Sequence, residues 1–108
     1  MMNELSDVDV PRDGLARLGT ALADHTRREI IHRLLDGPAY PAQLAQDLGT
    51  SPANISNHLA CLRGCGVVQA TAQGRRVRYD LVDPTIGGHL AAILEGLAEP
   101  DPAHDHLA

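Results

Sequence analysis

The sequence predicts a mainly α-helical domain with one small β-hairpin, and three observations support this fold class. Apolar residues recur at helical spacing in five separate stretches. Gly49 separates two of the shorter stretches, as a tight turn would. Residues 67–68 and 77–81 have the composition of two strands, and Gln73-Gly74 lies in the loop between them. The predicted order is four helices, a hairpin and a last helix in one domain.

The first two helices are defined by leucine spacing and by a capping signal. The first is predicted over residues 15–24, where leucines recur at helical spacing. The second opens at Thr26, because Thr26 and Glu29 have the spacing of a capping box, in which each side chain bonds the other's backbone N–H. A Gly-Pro pair stops this helix at residues 37–38. Its predicted buried stripe consists of Ile30, Ile31, Leu34 and Leu35.

The third and fourth helices flank the glycine turn. The third ends at Gly49 and is expected to bury Leu44, Ala45 and Leu48. Ser51 is the predicted N-cap of the fourth helix, and Pro52 takes the first helical position, which suits its fixed φ. This helix ends around residues 64–66 and turns Ile55, Leu59 and Leu62 inward.

The C-terminal part of the chain is predicted to hold one more helix and a polar tail. That helix covers roughly residues 84–97 and presents Ile86, Leu90, Ile93, Leu94 and Leu97. Residues 1–14 are expected to form a flexible acidic leader, and residues 15–98 the folded domain. Residues 99–108 form the tail, which contains His104 and His106.

Composition excludes several classes of protein. The apolar fraction of 44% argues against wholesale disorder, and no apolar run reaches the roughly 20 residues needed to cross a bilayer. The N-terminus lacks the apolar stretch of a signal peptide, so we expect a cytoplasmic protein whose two cysteines are thiols or metal ligands. With 2% aromatic residues the core is aliphatic and thin, and surplus apolar helix surface is expected to be buried in a second copy.

The net charge of −5 argues at first against a nucleic-acid partner, because net charge steers long-range association. The charge is unevenly distributed, however. Residues 51–82 contain four arginines and one acidic residue, whereas the segments before and after are acidic. The basic segment therefore coincides with the fourth helix and the hairpin.

Two short helices joined by a glycine turn predict a helix-turn-helix, whose second helix enters the major groove of DNA. The outward side chains of the fourth helix are short and form hydrogen bonds, as base-reading residues do. The hairpin carries arginines whose side chains can bind phosphates or enter a narrow minor groove. The alternatives are that the polar face of the fourth helix is only solvated and that the hairpin arginines only favour solubility. The predicted DNA-binding residues are Ser51, Ala53, Asn54, Ser56, Asn57, His58, Arg75, Arg76 and Arg78.

Cys61 and Cys65 are spaced i, i+4 on the fourth helix, so their sulfurs lie on one face about one turn apart. Two thiolates in this arrangement can share a soft ion, but they need a third or fourth ligand. The alternative is that both are small buried apolar residues.

Three segments together resemble the ArsR/SmtB family of bacterial repressors: residues 22–31, residues 51–68 and the hairpin segment 74–81. The resemblance runs from about Leu15 to Leu97. It implies a winged helix-turn-helix homodimer, joined by its first and last helices, on an operator with two-fold pseudo-symmetry. His25 departs from the pattern, since the family usually has proline there.

The same resemblance bears on the inducer site. The family's site on the third helix needs cysteines where this chain has residues 40–43, and its last-helix site needs a histidine where this chain has Thr85. The segment 59–66 instead resembles the cadmium- and lead-sensing branch, which adds a cysteine from the tail of the partner protomer. We therefore hypothesise a site for Cd²⁺, Pb²⁺ or Zn²⁺ made by Cys61 and Cys65 and completed by His106 or His104, with imidazole favouring zinc over lead.

Other functions are less well supported. An enzyme is disfavoured because the acidic residues are scattered and no phosphate-binding glycine loop follows a strand. The same repressor fold could sense arsenite or thiol redox state through its cysteines. A winged helix that binds protein and no DNA is the third alternative. The sequence thus favours a DNA-binding repressor without an organic cofactor.

Overall fold

The computed structural model describes residues 9–103, which form five α-helices and a two-stranded antiparallel hairpin in the predicted order. This confirms the predicted fold class. No helix in residues 9–103 has the length and hydropathy needed to span a membrane. The elements are α1 (Arg12–Leu22), α2 (His25–Leu34), α3 (Pro41–Leu48), α4 (Pro52–Gly64), β1 (Val68–Gln73), β2 (Arg76–Leu81) and α5 (Ile86–Glu95).

The junction between α1 and α2 differs from the prediction. Asp24 does not end the first helix but caps the second, because its carboxylate accepts a hydrogen bond of 3.1 Å from the backbone N–H of Arg27. This bond holds the pKa of Asp24 below its ordinary value. The capping box predicted from Thr26 and Glu29 is therefore wrong, since α2 has already begun at His25. At its other end α1 begins at Arg12, inside the predicted leader.

The turn between α3 and α4 forms as the sequence predicts. Gly49 has φ 66°, a left-handed conformation that strains any residue with a Cβ. The N–H of Thr50 donates to the carbonyl of Ala45 at 3.0 Å and closes the end of α3. Ser51 Oγ then accepts from the N–H of Asn54 at 3.0 Å, with Pro52 at the first helical position. These bonds fix the direction in which α4 leaves the turn.

The hairpin is longer than predicted. Its register runs from Val68 opposite Leu81 to Gln73 opposite Arg76, around a two-residue turn at residues 74–75. Residues 69–73 are not apolar enough to indicate a strand by themselves, and pairing with β2 orders them. Ala39 adds an isolated bridge to Tyr79 through bonds of 2.9 and 2.8 Å, which attaches the segment before α3 to the hairpin.

The core lies between α2, α3, α4 and the hairpin. Its largest fully buried side chains are Ile30, Leu44, Ile55, Leu59, Leu62 and Val68. The inward positions predicted for α4 are all buried. Leu35, which was predicted to be part of the buried stripe of α2, is 41% exposed in the single chain.

Helix α5 buries none of its residues, although its sequence is strongly apolar. It begins at Ile86, after a turn in which Asp83 accepts hydrogen bonds from the N–H and hydroxyl of Thr85. Together with α1 and α2 it borders an open apolar groove of about 370 Å³, here called the α5 groove. Leu94 is 65% exposed and lines it. The surplus apolar surface predicted from composition is therefore found around the α5 groove, which is also lined by Leu18, Leu22, Ile31, Leu35, Leu90 and Ile93.

Candidate nucleic-acid interface and thiol pair

The outward side of α4 presents short polar side chains to solvent. Ser51, Ala53, Ser56 and Asn57 are exposed, whereas Ile55 and the following inward residues are completely buried. Asn54 is half-buried, and its Nδ2 donates to Thr50 Oγ1 at 2.9 Å. The structure therefore places these residues together on one accessible surface, here called the recognition face: Ser51, Ala53, Asn54, Ser56 and Asn57.

His58 is oriented differently from the residues of the recognition face. Its side chain is 17% exposed and lies against the α1–α2 junction. Arg27 donates to His58 Nδ1 at 3.4 Å, and His58 Nε2 lies 3.6 Å from Asp24 Oδ2. Because a guanidinium carries only donors, Nδ1 accepts, and the ring proton is on Nε2, facing the carboxylate. His58 thus connects α4 to the start of α2.

Arg27 joins three helices, a role that the sequence analysis missed. Its Nε and Nη2 donate to the carbonyl of Thr20 at 3.2 and 2.7 Å, and Nε also reaches Ala21 O at 3.3 Å. These carbonyls belong to the last turn of α1, where a cation is favourable. With the contact to His58, Arg27 ties α1 and α4 to the first turn of α2. No local pattern could reveal these contacts, because the partners of Arg27 come from two other helices, α1 and α4.

The three arginines of the hairpin, here called the wing arginines, have different surroundings. Arg75 occupies the turn and is exposed. Arg76 lies over the ring of Tyr40, with Cζ 3.4 Å from the ring centroid. Arg78 is half-buried, and its Nε has no hydrogen-bond partner within residues 9–103. All three remain predicted DNA contacts, with Arg75 and Arg76 the more accessible.

Cys61 lies in the last turn of α4 and Cys65 is the C-cap of this helix, and both are free and half-buried. Cys65 packs against the edge of the core, and this burial raises the pKa of its thiol. The neighbouring Cys61 raises it further, while the guanidinium groups of Arg27 and Arg17 oppose the increase. The guanidinium groups only partly offset the effects that disfavour the thiolate form of Cys65 beside Cys61. We call Cys61 and Cys65 the thiol pair.

The thiol pair does not complete a metal site by itself. Residues 9–103 contain no group of three His, Cys, Asp or Glu side chains able to hold a metal ion. The predicted further ligands, His104 and His106, lie outside the described residues. The donor set nevertheless fits a soft ion, because two sulfurs on one helix face need only one or two additional ligands.

Comparison with known proteins identifies the family. Residues 24–70 match the family described as "Bacterial regulatory protein, arsR family". Over 91 residues the chain is 54% identical to the HTH-type transcriptional regulator CmtR of Mycobacterium tuberculosis, covering 84% of this chain and 74% of that protein. The chain belongs to the ArsR family.

Other relatives and solved structures agree with this assignment. The ArsR-family chain is 35% identical over 89 residues to a probable mercury resistance operon repressor of Streptomyces lividans, covering 80% of the chain and 71% of the relative. The NMR structure of the cadmium sensor CmtR from M. tuberculosis matches at TM-score 0.62 and 52% identity, covering 81% and 92% of the two chains.

A homodimeric winged helix-turn-helix DNA-binding domain from Mycobacterium bovis matches at TM-score 0.69 and 26% identity, covering 82% and 89% of the two chains. The predicted family and winged helix-turn-helix fold are confirmed. The relatives are transcriptional regulators, which agrees with the predicted non-enzymatic function.

Proposed function

We propose that this ArsR-family chain is a cytoplasmic homodimeric repressor that leaves its operator when a thiophilic metal ion binds to the thiol pair. The observation that carries the proposal is the placement of both functions on α4. Its first half bears the exposed recognition face, while Cys61 lies in its last turn and Cys65 is its C-cap. A ligand that moves the second half of this helix also moves the first.

On the DNA side, α4 enters the major groove and the wing arginines contact the sugar-phosphate backbone. Ser56 and Asn57 are exposed in the middle of the helix and can donate to or accept from base edges. Ser51 and Asn54 lie at the N-terminal end, where helix-turn-helix proteins meet the bases. His58 serves in this account to hold α4 against α2, through Arg27 and Asp24.

On the metal side, Cys61 and Cys65 supply thiolates, and His104 or His106, from the partner protomer, completes the set. Arg17 and Arg27 favour the thiolate form of Cys65. The resemblance to a cadmium sensor supports Cd²⁺ as the inducer, while imidazole in place of a third sulfur favours Zn²⁺ over Pb²⁺. No organic cofactor is required.

Metal binding lowers DNA affinity because it attaches α4 to the tail of the partner. Helix α4 is already held at the α1–α2 junction by His58 and Arg27, so a new tether near Cys65 tilts it relative to that junction. A coupling free energy of about 1–3 kcal/mol corresponds to a roughly 5- to 150-fold loss of operator affinity.

The second copy covers the α5 groove in this proposal. Apolar side chains of α1 and α5 that are exposed in a single chain, including Leu15 and Leu94, become buried across the two-fold axis, together with Leu97 just after α5. Such an arrangement places two α4 helices on successive major grooves of one operator.

The proposal is tested by a gel shift with the DNA upstream of the protein's own coding sequence. The protein is expected to retard this fragment, and Cd²⁺, Pb²⁺ or Zn²⁺ to release it. Arsenite and an oxidant are included, since release by these agents alone indicates an arsenite or redox sensor. Absence of any retardation supports a protein-interaction module and contradicts the proposal.

Neutralising the exposed wing arginines is expected to weaken operator binding uniformly across DNA sequences. Arg75→Ala and Arg76→Ala should each weaken binding about 10-fold and reduce the slope of log affinity against log salt by about 1. The measurement is fluorescence anisotropy over a series of salt concentrations. Arg12→Ala is the matched control, since it removes an exposed arginine at the start of α1. An unchanged salt slope in both wing variants would exclude the wing from the interface.

Metal affinity is expected to fall as pH falls. Burial raises the pKa of Cys65, so its thiol carries a proton at neutral pH and must lose it to bind metal. For each proton that metal binding releases, the apparent metal affinity rises about 10-fold with every pH unit, as long as the pH lies below the thiol pKa. Cd²⁺ titrations followed by ultraviolet absorption between about pH 6 and 8 measure this slope. A Cd²⁺ affinity that does not change with pH would show that these thiols are not the ligands.

A further inference from the structure

We propose that Tyr40 is a positioning residue that holds Arg76 ready to contact the operator backbone, an inference that rests on the proposed function. The two residues are far apart in the sequence, yet the guanidinium carbon of Arg76 lies 3.4 Å from the centroid of the Tyr40 ring. At that distance the planar guanidinium stacks on the ring, and the cation is attracted to its π electrons.

The backbone that carries Tyr40 is fixed on both sides. The residue before it, Ala39, exchanges two hydrogen bonds with Tyr79 of β2. The N–H of Tyr40 donates to Gln43 Oε1 at 3.2 Å, and Pro41 begins α3 directly afterwards. The backbone that carries the ring is therefore attached both to the hairpin and to the first helix of the helix-turn-helix.

Stacking uses the face of the Arg76 guanidinium and leaves its edge free. All five N–H donors of a guanidinium lie in its plane, so a ring against the face does not consume them. Arg76 has no ion pair within residues 9–103, and its guanidinium there lies over the Tyr40 ring. Its donors thus remain available for a phosphate, whose oxygens match the guanidinium fork.

Arg76 benefits from such support because it is exposed beside the turn of the hairpin. An arginine loses considerable rotamer freedom when a ligand fixes it, and a side chain already ordered in the free protein loses less. Arg75, in the turn itself, has no aromatic partner within the described part of the chain. The two neighbouring arginines therefore differ in preorganisation.

A double-mutant cycle tests this role with labelled operator DNA and the full-length protein. Tyr40→Ala is expected to weaken binding about 2- to 5-fold, the range of an exposed cation–π contact. In the Arg76→Ala background the same substitution should have no further effect, whereas in the Arg75→Ala background it should keep its full effect. Tyr40→Phe, which keeps the ring, should restore wild-type binding.

Arg76→Lys provides a second test that leaves Tyr40 in place. Lysine keeps the charge but lacks the planar face, so it should weaken binding as Tyr40→Ala does while the salt slope stays unchanged. NMR gives a readout without DNA, since the Arg76 side-chain protons should show upfield ring-current shifts that Tyr40→Ala removes.

Effects of Tyr40→Ala and Arg76→Ala that add independently would overturn the inference, as would wild-type operator binding by Tyr40→Ala. Either result leaves the proposed repressor function standing. Failure of the wild-type protein to bind operator DNA contradicts the proposed function and the positioning role together, even with the ring-current shifts present.

Discussion

Cys61→Ser is expected to abolish the metal response of this ArsR-family protein. A serine hydroxyl stays protonated at neutral pH and is a poor ligand for soft ions, so one of two thiolate donors is lost from α4. Removing even an outer partner of a metal ligand typically costs about 10- to 100-fold in affinity, and loss of a ligand itself should exceed this. Thiolate-to-metal absorption on titration with Cd²⁺ measures the effect directly.

Cys61 is a better target than Cys65 because Cys65 also packs against the core. Ala60→Ser is the matched control, since it places a hydroxyl on the exposed side of the same turn and keeps both thiols. The control should show the wild-type absorption band at the wild-type metal concentration. A wild-type band in Cys61→Ser would remove the thiol pair from the site.

Leu94→Glu is expected to split the dimer and with it the operator complex. Leu94 is exposed in the single chain and lines the α5 groove, so in a dimer joined at this groove a carboxylate would be buried without a partner. Two linked recognition helices bind with an avidity advantage of about 10²- to 10⁴-fold over one, and that advantage would be lost. Analytical ultracentrifugation and operator anisotropy measure the two consequences.

The control for Leu94→Glu lies on the same helix. Ala92 does not line the groove, so Ala92→Glu adds an equal charge to another side of α5. This variant should remain dimeric and bind operator DNA normally. A dimeric Leu94→Glu protein would mean that the second copy docks elsewhere, and α5 would then have no role in assembly.

Local patterns predicted the helix-turn-helix accurately. Gly49 and Ser51 act within one turn of their own positions, so the sequence alone indicates the left-handed turn and the N-cap. The inward face of α4 follows from helical spacing, and Leu59 is completely buried as expected. Such features depend on residues that are close together in the chain, so a single sequence is enough to predict them.

Contacts between distant elements were not predictable in the same way. Asp24 and Thr26 are both good caps, and the chain uses Asp24, which also faces His58 from α4. The stacking of Arg76 on Tyr40 depends on the bridge that brings the segment before α3 to the hairpin. Each of these contacts forms only when helices and strands pack against one another, so the local sequence pattern does not predict it.

The candidate metal site was predictable only in part, for a related reason. The i, i+4 spacing of Cys61 and Cys65 predicts that both thiols lie on one face, and in the structure Cys61 lies in the last turn of α4 while Cys65 is its C-cap. The proposed further ligand would come from the tail of a second copy, and helical or strand periodicity in the chain cannot predict such a contact. The predicted roles of His104 and His106 therefore stay predictions.

The central claim is that metal binding to the thiol pair lowers operator affinity. Its most direct test is the anisotropy of labelled operator DNA titrated with wild-type protein and with Cys61→Ser, each with and without Cd²⁺. The dissociation constant of the wild-type protein should rise about 5- to 150-fold with Cd²⁺, and that of Cys61→Ser should not change. If Cd²⁺ is bound, as the absorption band reports, and the wild-type dissociation constant stays the same, the claim is contradicted.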